Sequence, residues 1–410
     1  MAAPPGGPPD SLPPRILVVH PESGAVVRDL SGAAVIQFDE VIDEMAGGAA
    51  AGAGTVGGIG RQVILSPVAG DVDVSWHRKS IHVKPSEGWK PGRVYHLEVL
   101  PGIVDLSRNA TKQGALVVFS TGPALPHAAI SGTALQWVEQ RALGRAVVRA
   151  ARLPDTVAYV TLADSAGGFA LRDVPSGRYR VLAIQDQNGN RQLDPREAFD
   201  SATVTVDSSA RVVLWAFPHD TAGPRLRSAE PVDSFAFRLT FAQPLDPYRT
   251  LDTARVRLFA LPDTTLVRLE GVWTGAGYDS IQARVRAAAD SLRRASDTTA
   301  HPGAPPAAAQ RAPAAGRAPG APSGLDTTRA RPDTSRIRQL LRQRPAPSDR
   351  FVARAVTRLT PGAKYLVRVR GATNLTGAAA DGQAVLQVPK PAPSPPARDT
   401  TRARPGAKPP

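Results

Sequence analysis

The chain has 410 residues, no cysteine and a formal net charge of +14 at pH 7. The length allows two to four domains, and the missing cysteine excludes disulfides, thiolate nucleophiles and Cys-ligated zinc. With 40 Pro and 36 Gly but only 5% aromatic residues, the composition favours short strands, turns and linkers over long helices.

The positive charge is concentrated in two segments of low complexity. Eleven Arg and five Asp lie between residues 290 and 350, and five Lys or Arg and one Asp lie between 390 and 410. These segments therefore carry ten of the fourteen net charges. A solvated basic tail is one interpretation, and binding to a polyanion such as an acidic envelope polymer or nucleic acid is the alternative. We favour the solvated basic tail, and a nucleic-acid partner is not expected.

The first third of the chain alternates apolar and polar residues with period two, in bursts of four to seven residues. Each burst is followed by Pro, Gly, Asn or Asp, which predicts a β-sandwich over residues 13–123. Residues 1–12 form a Pro/Gly-rich N-terminal segment. Met45 to Gly60 are poor in large side chains, which predicts a flexible loop.

Similar bursts predict two further sandwiches. The second covers residues 127–218, and the third is split into 223–290 and 350–390. Between its halves, residues 291–349 are rich in Ala, Pro, Arg, Gly, Ser and Thr, which predicts a disordered insert with short helical turns near 291–295 and 337–342. Residues 391–410 are expected to be a disordered basic tail.

An internal repeat supports the split. The sequence WKPGRVY ends at Tyr95, and LTPGAKY ends at Tyr365; both are followed by a strand and then by an Asp-Leu or Asn-Leu turn. Each Pro-Gly turn leads to a Tyr that opens a strand, as in the tyrosine corner of Ig-like sandwiches. The predicted fold is therefore all-β, with three tandem Ig-like β-sandwich domains, a disordered insert and a disordered C-terminal tail.

The first module resembles a known family. PPRILVVHPESGAVV, AVIQFDEVID, VILSP, WKPGRVYHLEVLPGIVDLSRN and VVFSTG occur in the order found in the bacterial Ig-like domain named after the S-layer protein SbsA. The third module is similar more loosely, through FRLTFAQPLD and LTPGAKYLVRV. The middle module, through GGFALRDVPSGRYRVLAIQD, resembles the carboxypeptidase regulatory-like β-sandwiches, which despite their name are non-catalytic.

These modules, in this order, resemble envelope lipoproteins of Bacteroidetes-like bacteria. The resemblance implies an extracytoplasmic location in the cell envelope. Such proteins carry a lipoprotein signal before a Pro/Gly-rich segment, whereas here PPGGPPDSLPP stands without a signal or lipidated cysteine. Either the start is assigned too late and a lipid anchor is missing from this chain, or this copy stays inside. No apolar run approaches the length of a transmembrane helix.

One loop has the spacing of a calcium site. Oxygen-bearing side chains occupy positions 1, 3, 5, 9 and 12 of a twelve-residue stretch, and they are Asp186, Asn188, Asn190, Asp194 and Glu197. Leu193 is expected to pin this loop to the core. Arg191 stands at position 6, where calcium loops need Gly for a positive φ, so a structural polar hairpin loop around Asn188-Gly189 is the alternative.

Other polar residues predict little chemistry. His82 and His96 lie on neighbouring predicted strands and are expected to share one solvent-facing surface. The acidic pairs Asp39-Glu40 and Asp43-Glu44 predict a solvated turn, with calcium binding as the alternative. The sequence contains no nucleophile elbow, P-loop or His-Glu-x-x-His motif. It therefore predicts a non-catalytic, structural or partner-binding envelope protein, with polyanion binding through the Arg-rich insert and tail as the alternative.

Overall fold

The computed structural model describes residues 10–44, 58–122, 124–299 and 334–390. Within these ranges the chain forms three β-sandwiches, which confirms the all-β prediction. The chain divides into two units. One contains the described residues up to His219 with 334–346, and the other contains Asp220 to Thr299 with 347–390. Residues 1–9, 45–57, 300–333 and 391–410, on which most of the predicted loop, insert and tail fall, lie outside the described residues.

Seven strands and a short 3₁₀-helix form the first sandwich. They are β1 (Ile16–His20), β2 (Ala34–Phe38), the 3₁₀-helix (Gly58–Gln62), β3 (Val63–Ser66), β4 (Val72–His77), β5 (Ser80–Pro85), β6 (Val94–Val99) and β7 (Ala115–Ser120). One sheet has the order β1-β2-β5-β4 and the other β3-β6-β7. β5 alternates between the core and a solvated face, whereas β6 is buried at nearly every position.

The second sandwich belongs to the same unit as the first. Its strands are β8 (Ala128–Gln136), β9 (Arg141–Ala142), β10 (Val147–Arg152), β11 (Ala158–Leu162), β12 (Gly168–Val174), β13 (Gly177–Ile184), β14 (Phe199–Val206) and β15 (Ser209–Ala216). The sheets have the orders β11-β10-β13-β14 and β12-β8-β15, with β9 paired to β8. Phe169, Leu171, Tyr179 and Val181 lie in the core, as the alternation along β12 and β13 requires.

Chain segments on both sides of the insert build the third sandwich. The strands before it are β16 (Leu226–Pro231), β17 (Ala236–Leu245), β18 (Val256–Ala260), β19 (Thr265–Val267) and β20 (Leu269–Thr274). Those after it are β21 (Ser348–Ala355), β22 (Lys364–Thr373) and β23 (Ala379–Gln387). The sheet orders are β16-β17-β21-β20 and β19-β18-β22-β23, so both sheets combine strands from the two segments.

Two helices correct the predicted disorder at both ends of the insert. They are α1 (Gly275–Thr299) and α2 (Thr334–Leu341). At the start of α1, Tyr278 is 4% exposed and packs with Ala236 and Val352. This buried ring gives the helix a packed first turn, and the Ala- and Arg-rich residues that follow have high helix propensity. The helical turns predicted near 291–295 and 337–342 overlap these helices. Composition did not predict that α1 begins at Gly275, inside the segment 223–290 assigned to the third sandwich.

The segment after α2 packs on the second sandwich. Trp137 Nε1 donates a hydrogen bond to the Pro345 carbonyl oxygen at 3.1 Å. The Arg344 guanidinium carbon lies 5.6 Å from the centroid of the Trp137 ring and 5.1 Å from that of Trp215. Cation–π contacts of this kind favour a fixed position for the Arg side chain. The end of the predicted insert is thus part of the first unit.

The two Pro-Gly corners have the same hydrogen bonds, which confirms their equivalence. Tyr95 Oη accepts a bond from the Lys90 N–H at 2.8 Å, and Tyr365 Oη accepts one from the Thr360 N–H at 2.9 Å. Both donors lie five residues before the Tyr. The rings are 0% and 5% exposed. Each hydroxyl therefore satisfies a backbone donor at the point where the chain turns into the sandwich.

The turns at these corners also correspond. Gly92 and Gly362 have φ of 71° and 81°, as a type II turn requires after Pro at its first central position. Their N–H groups donate to the Thr121 and Val388 carbonyl oxygens at 3.4 and 3.0 Å. A side chain other than hydrogen would strain this backbone, so Gly is required at both turns.

A second pair of equivalent turns lies after the two corner strands, one in each sandwich. Asp105 Oδ1 accepts a bond from the Asn109 N–H at 2.7 Å, and Asn374 Oδ1 accepts one from the Ala378 N–H at 2.8 Å. Both side chains are 1% exposed. Each closes its turn by accepting from the residue four positions later. The repeat seen in the sequence therefore extends to buried polar groups.

Replacing either corner Tyr by Phe is expected to destabilise its sandwich. Tyr95→Phe and Tyr365→Phe each remove the acceptor of a backbone N–H while keeping the ring, so we expect the free energy of unfolding of the affected sandwich to fall by about 1–3 kcal/mol. Chemical denaturation of the full chain measures the change. Leu106→Ala, at a side chain 72% exposed on the first sandwich, is the control and should change it by less than about 0.5 kcal/mol. An unchanged free energy of unfolding in Tyr365→Phe would contradict the equivalence of the corners.

Candidate functional site

The first and second sandwiches meet through polar contacts between neighbouring strands. The Val160 N–H on β11 donates to Ser66 Oγ on β3 at 3.0 Å. The Thr161 hydroxyl donates to Glu98 Oε2 on β6 at 3.0 Å. The second sandwich thus covers the outer face of the β3-β6-β7 sheet, which explains why β6 is buried on both faces. We call this contact region, formed by β3, β6, β11 and the loop 186–197, the junction.

Arg191 joins the loop between β13 and β14 to the first sandwich. Its Nη1 donates to the Val63 carbonyl oxygen at 2.7 Å, and its Nη2 donates to the Arg61 carbonyl oxygen. The residue has φ of 58°, so it takes the left-handed conformation that Gly takes in a calcium loop. Its backbone N–H donates to Asp186 Oδ2 at 2.9 Å. The Arg that departs from the calcium pattern therefore binds the neighbouring domain.

Burial shifts the pKa values of the charged groups at the junction. It raises the pKa of Glu98, while the Thr161 hydroxyl and the Arg191 charge oppose the rise. Burial also lowers the pKa of Arg191, against the charges of Asp186 and Glu98. These groups compensate one another because a buried charge without a partner is costly. Their arrangement gives the junction a defined geometry.

A cleft of about 730 Å³ opens beside these groups. Side chains from both sandwiches line it, and those bearing charge or an amide include Arg61, Glu98, Arg145, Asp164, Gln185 and Arg191. Clefts of roughly 300–1,000 Å³ at domain boundaries are common ligand sites. The lining offers hydrogen-bond donors and acceptors and charges of both signs, so it is suited to a polar ligand.

The predicted calcium ligands lie in one loop and bond to one another or to its backbone. Asp194 Oδ2 accepts from Asn188 Nδ2 at 2.6 Å and from Asn190 Nδ2 at 3.0 Å. Glu197 is 4% exposed, and its carboxylate accepts from the N–H groups of Gln187 and Asp194. These bonds close the loop by themselves.

The remaining loop contacts extend this picture. The Asp186 carboxylate accepts from the Gly189 N–H at 2.7 Å as well as from Arg191. Leu193 is 38% exposed, so its expected role in pinning the loop to the core is wrong. Arg191 holds the loop instead, through the junction. Calcium binding by the five predicted ligands stays a prediction.

His96 corrects the prediction that His82 and His96 share a solvent-facing surface. His96 is 2% exposed, and its ring centroid lies 4.8 Å from that of Tyr159 on the second sandwich. His96 Nε2 has no hydrogen-bond partner among the described residues. Alternation on β6 pointed this side chain away from the core of its own sandwich, but the neighbouring domain buries it.

Sequence reasoning missed the junction residues Glu98 and Ser66 and placed His96 on the wrong surface. A signal was present in VYHLEVL, where the only polar side chains after Tyr95 are His96 and Glu98. A strand face exposed to water would carry more charge, so the sequence VYHLEVL was compatible with burial on both faces. Arg191 was noticed only as a mismatch to the calcium pattern.

Three carboxylates approach one another elsewhere on the first sandwich. Asp10, Glu40 and Asp105 each place an oxygen within 4.8 Å of the others. Burial, then the charges of Asp10, Asp105 and Asp39, raise the pKa of Glu40. Since Asp105 already accepts two hydrogen bonds from Asn109, we assign no ion to this cluster. Calcium binding near Asp39-Glu40 and Asp43-Glu44 stays a prediction.

Comparison with known proteins gives a family for the first sandwich. Residues 10–121 match the sequence model of the family described as a bacterial Ig-like domain. The first sandwich thus has the fold that its sequence predicted. The finer SbsA-type assignment goes beyond this match. Among curated proteins, no match was found.

Solved structures that match part of this chain include an S-layer protein and a pilin. The N-terminal part of the bacterial S-layer protein SbsC is 12% identical, with 42% of this chain and 25% of that chain covered and a TM-score of 0.21. BcpA, the major pilin subunit of Bacillus cereus, is 11% identical over 50% of this chain and 71% of that chain, with a TM-score of 0.18. This chain therefore spans a quarter of the SbsC structure. Similarities this low do not bear on function.

No helix within the described ranges is long and apolar enough to cross a membrane.

The buried His96 predicts a loss of stability in acid. Burial lowers its pKa to about 4 from 6.5, although a hydrogen bond to the Asp173 backbone and the charge of Asp173 oppose the shift. The contribution of the neutral ring is therefore fully present above pH 6.5 and is lost as pH falls towards 4. Two and a half pKa units correspond to about 3 kcal/mol.

The measurement is the free energy of unfolding between pH 7.5 and 4, for the native chain and for His96→Phe. We expect the difference between the two to change by about 3 kcal/mol across this window, because Phe keeps an aromatic ring against Tyr159 but cannot bind a proton. Other titrating groups contribute equally to both proteins and cancel. Parallel curves for the two proteins would show that His96 does not titrate in this way.

Proposed function

We propose that the chain is a non-catalytic, extracytoplasmic protein of a bacterial cell envelope, whose sandwiches present binding surfaces to an envelope polymer or protein. The bacterial Ig-like match over residues 10–121 and the tandem sandwich architecture support this proposal. It includes an SbsA-type assignment for the first sandwich and a carboxypeptidase regulatory-like one for the second. Sequence motifs alone support those two assignments.

The cleft at the junction is the observation that carries the binding proposal. It lies between two sandwiches that Arg191, Glu98 and Ser66 hold together, so its shape is set before a ligand arrives. Its lining mixes Arg, Gln and carboxylate groups. A hydroxylated polysaccharide segment both donates and accepts hydrogen bonds and matches this mixture. We therefore assign an envelope polysaccharide to the cleft.

Filling the cleft is expected to reduce polysaccharide binding. Ser165 is exposed and lines the cleft, and Ser165→Trp places a large ring there without removing a hydrogen bond of the junction. Co-sedimentation of the full chain with insoluble cell-wall polysaccharide should show affinity falling by about tenfold or more, which corresponds to only 1.4 kcal/mol. Ser208→Trp, at an exposed turn of the second sandwich, is the matched control and should bind as the native chain does.

Two results would redirect the proposal. Undiminished binding by Ser165→Trp would remove the cleft as the site. Binding that falls steeply with salt and disappears on deletion of residues 300–333 and 391–410 would favour the alternative, a polyanion-binding protein acting through its Arg-rich segments. Capture of a protein instead of polysaccharide, still sensitive to Ser165→Trp, would keep the cleft and change the class of partner.

We propose calcium as a ligand of the loop 186–197. Its support is the spacing of Asp186, Asn188, Asn190, Asp194 and Glu197 and their position in one loop. The hydrogen bonds that already close the loop compete with a cation for the same oxygens. We therefore expect weak binding, in the range of roughly 0.1–1 mM that is typical of extracellular calcium modules.

Calcium should therefore stabilise the full chain only at high concentration. At 10 mM calcium we expect about 1–3 kcal/mol of added stability, seen as a higher melting temperature. Asp186→Ala should abolish the gain, whereas Asp207→Ala, at an exposed turn outside the loop, should keep it. Magnesium at the same concentration tests for general ionic effects. Equal melting temperatures with and without calcium would show that the loop is purely structural.

A further inference from the structure

The hairpin of β4 and β5 places two histidines diagonally across one solvent-facing surface. Ser75 lies opposite His82, and His77 lies opposite Ser80. In an antiparallel pair, diagonal side chains on one face are about 7–8 Å apart at their bases, within reach of rings. The centroids of the His77 and His82 rings are 4.1 Å apart, and the ring planes are inclined by 35°. The two imidazoles therefore touch.

This contact is unfavourable when both rings are charged. His77 is exposed and His82 is half-buried. Ser75 Oγ lies 3.4 Å from His77 Nε2, and Ser80 Oγ lies 3.2 Å from His82 Nε2. The contact with His77 is exposed and the contact with His82 is half-buried, and both distances lie at or beyond the long end of the hydrogen-bond range, so we expect a metal ion to displace them.

We propose that His77 and His82 together bind a divalent transition-metal ion, with one ring nitrogen from each and water in the remaining positions. Neutral imidazole is a common ligand of zinc, copper and nickel, whereas calcium and magnesium prefer oxygen. With bonds of 2.0–2.1 Å, two imidazoles on one tetrahedral ion have centroids about 5 Å apart. The rings need to separate by only about 1 Å, through side-chain rotation on a fixed hairpin.

The surroundings make this an open site that exchanges its ion readily. Only two protein ligands are present in the pair, fewer than the four of a structural zinc site. Arg78 and Lys79 form the hairpin turn next to the rings, and their positive charges reduce the affinity for a cation. Lys79 Nζ donates a hydrogen bond to the Asp39 carbonyl oxygen at 2.8 Å, so the position of this charge is fixed by that bond.

Metal titration of the full chain without a polyhistidine tag tests the proposal. Calorimetry with nickel chloride should show one saturable site, and His77→Ala or His82→Ala should each weaken it at least about tenfold, because even outer-shell changes cost 10–100-fold in metal affinity. Electron paramagnetic resonance of the copper-loaded chain should show splitting from two nitrogens, and from one in each variant. This outcome does not depend on polysaccharide binding.

His20→Ala is the matched control. His20 is exposed on the same sheet face, opposite Val35, which in turn lies opposite His82. Its replacement should leave nickel affinity and the copper spectrum unchanged. Circular dichroism should show all three variants folded, and His77→Gln and His82→Gln repeat the test with polar side chains of similar size. Full nickel affinity in His77→Ala or His82→Ala, an equal loss in His20→Ala, or no uptake by the native chain at 1 mM nickel would overturn the proposal.

Discussion

Buried polar groups at the corners of each sandwich must be hydrogen-bonded, and this requirement shapes the whole chain. Tyr95 and Tyr365 meet it by accepting a bond from a backbone N–H five residues earlier. In the second sandwich Tyr179 donates instead, to the Pro175 carbonyl oxygen at 2.6 Å. Tyr thus satisfies a backbone group in all three sandwiches, as an acceptor in the first and third and as a donor in the second, because a phenol can both donate and accept. The first and third sandwiches therefore have the same corner arrangement, and the second has a different one.

The same requirement explains the junction between the first two sandwiches. Packing the β3-β6-β7 sheet against a neighbour buries polar groups of β6 that would otherwise face water. Glu98 obtains the Thr161 hydroxyl and the nearby Arg191 charge as compensation, whereas His96 stays neutral against Tyr159. Each polar group at this interface restricts how the two domains can fit together. The cost of burying these groups therefore yields a specific orientation rather than a large gain in stability.

Much of the fold could be predicted because its signals are local. Alternation and turn residues identified the sandwiches, and the Pro-Gly-x-x-Tyr repeat indicated that the third is assembled from both sides of the insert. Of the helix α1, only a short turn was predicted, because Ala and Arg dominate its sequence. Its decisive feature is one contact, Tyr278 against Ala236 and Val352, that depends on distant residues. Composition alone cannot distinguish such a docked helix from a low-complexity linker.

The candidate site was harder to predict because it is built between domains. Alternation indicates which face of a strand turns away from its own core, but the neighbour that covers that face is a tertiary fact. Arg191 shows the difficulty in one residue, since it looks like a defect in a calcium loop when read locally. In the folded chain its positive φ directs the guanidinium to backbone carbonyl oxygens of the first sandwich. A local departure from a motif can therefore mark a contact with another domain. The contact made by Arg191 fixes the polar loop and borders the cleft, so both features depend on it.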